Sequence, residues 1–145
     1  MKTVDEFSPV GSARAGSAAV VLVVDDEDAV RRFACRVLDR AGFAVLQATD
    51  GAEALELIQS RRGGLEAVVS DIVMPRMNGV ELMQALATSE PDLPVILMSG
   101  YATEALTDMG IAAPCSIIPK PFSAERLLAE VSRCIRRSGG DSSAA

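Results

Sequence analysis

The chain contains no histidine and no tryptophan. Without an imidazole it cannot build a Ser-His-Asp triad, a histidine metal cage or a phosphohistidine from its own residues. It has three cysteines, Cys35, Cys115 and Cys134, and no two of them stand at CxxC spacing. Neither a disulfide framework nor a zinc site is therefore expected. Cys35 and Cys134 fall in amphipathic stretches and read as core thiols. No apolar run approaches the roughly 18 residues of a membrane span, and the start, MKTVDEFSPVGSARAGSAA, shows no secretory apolar region. A cytoplasmic protein that does not touch the membrane is the expectation. Positive charge is also in deficit: 14 Lys and Arg stand against 20 Asp and Glu, a net charge of −6. That balance opposes direct nucleic-acid binding. Chemistry is left to carboxylates, Lys, Ser, Tyr and the backbone.

What is present is apolar residue in quantity, 49% of a 145-residue chain, enough for one domain with a complete core. Residues 1–18, rich in Ser, Gly and Ala, read as a flexible arm, and residues 138–145 (SGGDSSAA) as a polar tail. The domain proper spans 19–137. Within it lie five short apolar runs: Val20–Val24, Ala44–Ala48, Ala67–Ser70, Pro94–Met98 and Cys115–Ile118. Near-continuous Val and Ile suit strands covered on both faces. The gaps between them are too long for hairpins and right for crossover helices.

Helical spacing fills those gaps. Val30, Phe33, Val37 and Ala41 mark one helix, which Gly42 can close. Asp50 with Glu53, and Asn78 with Glu81, have the spacing of capping boxes that open the second and third. A short helix is expected around Thr103–Met109, and a last one after Ser123, burying Leu127, Leu128, Val131 and Ile135. Five βα units make an α/β fold with a parallel sheet and helices on both faces. Ligands of such sheets bind beyond the carboxyl ends of the strands.

At those ends stand Asp25, Asp26, Glu27 and Asp28 after the first strand, Asp71 after the third, Ser99 after the fourth and Lys120 after the fifth. Any one of these has an ordinary explanation: acidic residues favour helix N-termini, where the dipole is positive. Their joint occurrence at one edge is harder to dismiss. Carboxylates about 4 Å apart repel by about 4 kcal/mol at a surface-like dielectric, so a cluster takes up protons or a cation. Hard oxygens with room for water suit Mg²⁺. A carboxylate there can act as nucleophile and form an aspartyl phosphate. The metal and the lysine would spread the charge of a loose phosphoryl transition state.

The segments VVLVVDDED, SDIVMPRMNG, VILMSGYA and PKPF, in this order, resemble the receiver domains of two-component response regulators. The resemblance runs from about Val20 to Arg137. It implies a three-layer α/β/α sandwich of flavodoxin-like topology with strand order 2-1-3-4-5. It implies that Asp71 is the phosphoacceptor. Asp26 and Asp71 would be Mg²⁺ ligands, with Asp25 acting through water and the backbone carbonyl of Val73 as a further ligand. Ser99 would be the switch hydroxyl, Lys120 the counter-ion, and Lys120–Pro121 a cis peptide bond, a form accessible only before proline. The implied partner is a histidine kinase or a histidine phosphotransfer protein. The module would not be an enzyme in the usual sense, although it would assist its own Mg²⁺-dependent phosphorylation and dephosphorylation. The last helix and strand could also serve a homodimer.

One position departs from the family pattern. Receivers commonly carry Tyr or Phe three residues before the lysine, and here that residue is Ile117. The sole tyrosine, Tyr101, could take part of that role. A receiver-like interaction module with a weakened phospho-switch is therefore the alternative reading. A flavin-binding protein of the same topology would need a Ser/Thr/Gly-rich loop where Asp25–Asp28 stand. A dehalogenase-like phosphatase would need its Asp-x-Asp after the first strand. No output segment is legible after Arg137.

Overall fold

Each apolar run forms a strand. The computed structural model describes residues 18–61, 64–100 and 114–144. Its strands are β1 (Val20–Val24), β2 (Ala44–Ala48), β3 (Ala67–Asp71), β4 (Val95–Ser99) and β5 (Ser116–Pro119). Its helices are α1 (Asp28–Arg40), α2 (Gly51–Arg61), α3 (Gly79–Ser89) and α4 (Ala124–Ala144). The helix expected around Thr103–Met109, and Tyr101, lie outside the described residues. The span of α4 includes the backbone of 138–144, beyond the apolar pattern that ends near Ile135.

All ladders are parallel, and the strand order is β2-β1-β3-β4-β5. Alternate residues of the central strands feed two cores, as the period of two requires. Val21, Val23, Val69, Ile96 and Met98 meet Ala34, Val37 and Leu38 of α1 and Leu127 and Val131 of α4. On the other face Leu22, Val24, Val68 and Leu97 meet Ala54 and Ile58 of α2 and Leu82, Met83 and Leu86 of α3. Each fully buried Leu or Ile side chain contributes about 1.5–3 kcal/mol of burial free energy, and Leu22, Leu38, Leu82 and Ile96 are fully enclosed.

The helix starts follow the local signals. Asn78 Oδ1 accepts the Glu81 N–H at 2.8 Å and Glu81 Oε1 accepts the Asn78 N–H at 2.9 Å, a complete capping box. Asp50 Oδ1 accepts the Glu53 N–H at 2.8 Å. Its reciprocal bond slips one residue, since Glu53 Oε1 takes the Thr49 N–H. Ser123 Oγ accepts the Arg126 N–H at the start of α4, and Gly42 closes α1 with φ 102°.

One expectation is corrected. Cys115 and Cys134, 19 residues apart, form a disulfide with their Cα atoms 6.1 Å apart. The strand β5 runs beside α4, so the residue entering β5 meets the third turn of that helix. Odd cysteine number and distant spacing concealed the pair, and only Cys35 is a free core thiol. Burial pushes its pKa up to about 11, with Asp39 adding to the rise and Arg31 opposing it. Phe33 lies outside the core. It is 37% exposed, while Ala34, Cys35, Val37 and Leu38 form the inner face of α1. Its ring packs instead against Phe122, centroids 5.8 Å apart.

Candidate functional site

The parallel register builds the site. Val24 of β1 is opposite Ser70 of β3, so the next residues, Asp25 and Asp71, emerge side by side. Asp71 in turn is opposite Met98, next to Ser99, and Ser99 is opposite Pro119, next to Lys120. The Lys120 N–H donates to the Ser99 carbonyl at 2.8 Å, fastening the ends of β4 and β5. Carboxylate oxygens of Asp25, Asp26 and Asp71 lie within 4.8 Å of one another. Asp25 and Asp71 are buried and Asp26 is exposed. The Lys120 ammonium stands 3.1 Å from Asp71 Oδ1 and 3.3 Å from Asp25 Oδ2. Asp71 Oδ1 also accepts the Ile72 N–H at 3.0 Å, and Asp25 Oδ1 the Glu27 N–H at 2.9 Å. The sequence-read residues Asp25, Asp26, Asp71 and Lys120 thus converge, with buried Ser99 on the strand between Asp71 and Lys120. Lys120–Pro121 is cis.

The electrostatics follow from this crowding. Burial pushes the Asp71 carboxyl above its ordinary pKa, and the Asp25 charge adds to the rise. The Lys120 hydrogen bond and charge oppose it without cancelling it. Burial alone would lower the Lys120 pKa, but the hydrogen bonds and charges of Asp71 and Asp25 outweigh it, and the net direction is up. Three carboxylates share this pocket with a single ammonium. Oxygen donors in surplus, gathered with a solvent-facing side, fit a hard divalent cation such as Mg²⁺.

The loop between Asp71 and α3 closes tightly on Asp71. Gly79 donates its N–H to the Ile72 carbonyl at 2.9 Å. A Cβ at residue 79 would stand 2.2 Å from the Asp71 carbonyl oxygen. Only glycine permits that approach. Val73, in the same loop, is 59% exposed. Ile117 is partly buried and packs on the core beneath α2 and α3.

Two supporting residues escape sequence reading. Arg31 donates to the Asp25 carbonyl at 3.0 Å and to Gln47 Oε1 at 2.9 Å, and pairs with Asp28. Its side chain is nearly buried and ties β1, β2 and α1 together at the acidic edge. From sequence, Asp28 and Arg31 read as an ordinary surface pair one turn apart. Arg76 pairs with Asp50, whose capping role was legible but whose second partner was not. Beside Lys120 lies an apolar groove of about 400 Å³, lined by Glu27, Val30, Phe33, Lys120, Pro121 and Phe122 among others.

Residues 21–132 match the family model described as the response regulator receiver domain. The chain belongs to that family. This receiver domain is 40% identical over 120 residues to the sensor kinase CckA of Brucella abortus, covering 82% of this chain and 13% of the kinase. It is 38% identical over 122 residues to the response regulator MprA of Mycobacterium sp. (strain KMS), covering 83% of this chain and 52% of the regulator. The chain therefore spans about half or less of these relatives. The receiver domain of NtrX from Brucella abortus superposes with a TM-score of 0.69 at 30% identity, covering 80% of this chain and 98% of that receiver. A receiver domain is the phosphoacceptor class of module in two-component signalling, and membership favours that role over a contact-only module. No helix among the described residues is long and apolar enough to cross a membrane.

Proposed function

We propose that Asp71 accepts a phosphoryl group from a phosphohistidine on a histidine kinase or a histidine phosphotransfer protein. The donor histidine belongs to another chain or domain, since this sequence has none. An Asp71 carboxylate oxygen attacks phosphorus. The new P–O bond forms as the P–N bond breaks, and the imidazole leaves with the electron pair. Lys120, already 3.1 Å from Asp71 Oδ1, holds positive charge beside the transferring group. Asp26 and Asp71 would ligate Mg²⁺ directly, Asp25 through water and Val73 through its backbone carbonyl. Bound there, Mg²⁺ supplies charge neutralisation for the phosphoryl oxygens. Ser99, at the end of the strand between Asp71 and Lys120, would bond a phosphoryl oxygen and shift the surface around β5 between two states. Water later hydrolyses the acyl phosphate, so the domain assists its own chemistry without being an enzyme in the usual sense. Cytoplasmic placement and a homodimer through the last helix and strand belong to the same reading.

The observation that carries the proposal is the convergence of three carboxylates within 4.8 Å of one another beside one ammonium. A labelled phosphohistidine donor with Mg²⁺ should label the full chain, and Asp71→Asn or a chelator should abolish the label. Label that survives either treatment would sink the assignment.

A further inference from the structure

The loop that follows Asp71 is held from outside the acidic pocket. Among the described residues Arg76 is the one non-glycine residue with a left-handed backbone, φ 63°. A residue with a Cβ disfavours that conformation. Here it turns the guanidinium back toward the N-terminus of α2. Arg76 Nε donates to Asp50 Oδ2 at 2.8 Å, and Nη2 donates to the same oxygen. The arginine side chain is 66% exposed, whereas that of Asp50 is 6% exposed, so the anion is fixed and the loop is the part that is captured. The other Asp50 oxygen caps α2 through the Glu53 N–H. Next to it, the Gly51 N–H donates to the Met77 carbonyl at 3.0 Å. A Cβ on Gly51 would stand 2.6 Å from that carbonyl oxygen. Together with the Gly79 bond to Ile72, these contacts fasten the loop at residues 72, 76 and 77. Val73 lies inside the fastened span.

We propose that Arg76 is a positioning residue for the cation. Its pairing with Asp50 locks the β3–α3 loop to α2 and so keeps the Val73 carbonyl at the mouth of the acidic pocket. The inference rests on the metal-assisted reading above. It adds a device outside the pocket, through which the start of α2 sets the affinity of the acidic site.

The test is a Mg²⁺ titration of the full ¹⁵N-labelled chain, followed by amide resonances of the acidic edge, without phosphodonor. Arg76→Gly removes the guanidinium while leaving the left-handed backbone easy to adopt, so the fold should melt close to wild type. Asp50→Asn keeps a good helix cap and removes the charge. Both should weaken Mg²⁺ binding by about tenfold, the lower end for loss of a partner outside the ligand shell. The double variant should be no weaker than either single one, and Arg76→Lys should restore part of the affinity. With acetyl phosphate as donor, half-saturating Mg²⁺ should rise in parallel while the rate at saturating Mg²⁺ stays close to wild type. Folded Arg76→Gly and Asp50→Asn proteins that bind Mg²⁺ as tightly as wild type would overturn the proposal. So would a wild-type chain that binds no Mg²⁺. A wild-type chain that binds Mg²⁺ but takes no phosphoryl group, with both variants weakened, supports the latch and refutes the phosphoacceptor reading alone.

Discussion

Removing the charge of Asp71 should stabilise the metal-free protein. Asp25 and Asp71 are both buried, with carboxylate oxygens within 4.8 Å. At that separation a like-charge pair costs about 3.5 kcal/mol at an effective dielectric of about 20. Asp26, being exposed, adds a smaller repulsion. Lys120 at 3.1 Å returns about 5 kcal/mol, yet it is shared with Asp25. Burial of the carboxylate then tips the balance, which is why the Asp71 pKa rises despite the ammonium. Asn has nearly the same shape and its amide oxygen can still accept the Ile72 N–H. Asp71→Asn should therefore be the more stable protein at neutral pH without Mg²⁺, by less than the roughly 3.5 kcal/mol of repulsion it relieves. The sign with pH follows from linkage. A carboxyl whose folded pKa is raised binds more protons folded than unfolded, so its contribution is fully present below the unfolded value and is lost as pH rises through the folded one. The advantage of the variant should accordingly vanish as pH falls to about the ordinary carboxylate value of 3.9. Saturating Mg²⁺ should reverse the order, since wild type gains about 2.7 kcal/mol at 100 times Kd and the variant lacks one of the proposed ligands. Calorimetric melts of both proteins from pH 4 to 8, with chelator and with Mg²⁺, measure this directly. A variant less stable than wild type in chelator at neutral pH, or one whose advantage grows on acidification, would refute the charge argument.

Other outcomes are expected. Gly79→Ala should destabilise by about 2–3 kcal/mol, because a Cβ 2.2 Å from the Asp71 carbonyl oxygen must displace backbone. Urea denaturation measures the loss, and a change under 0.5 kcal/mol or so would contradict the close approach. Reducing Cys115–Cys134, which closes a loop with a sequence separation of 19, should lower the midpoint by an amount worth about 3 kcal/mol. Parallel denaturation curves with and without reductant, with thiol alkylation to count free cysteines, test that. Leu38→Ala, deleting a fully buried side chain between α1 and the sheet, should cost about 2–5 kcal/mol and leave phosphoryl acceptance by the folded fraction intact.

The α/β alternation was legible because periodicity is local. Apolar runs of strand length separated by stretches of helical spacing admit few arrangements, and the parallel sheet followed. The strand ends then pointed to Asp25, Asp26, Asp71, Ser99 and Lys120. Their meeting depended on strand order, which came from the family resemblance and which the sheet of order β2-β1-β3-β4-β5 bears out. Phe33 shows what periodicity leaves open, because apolar spacing marks a face of a helix without saying how wide the covered part is. The neighbour that shelters its ring, Phe122, arrives from the far end of the chain.

From the residues alone came the fold class, the helix caps at Asp50 and Asn78, and the chemical types at the acidic edge. Each is a matter of neighbours within a few positions, where backbone geometry dictates which side chains can meet. Tertiary structure alone decided the Cys115–Cys134 bond, the Arg31 brace beneath Asp25 and the Arg76–Asp50 latch. Partners such as Arg76 and Asp50 are separated by a helix and a strand. Nothing in their local sequence prefers one another until the sheet has set the distance between them.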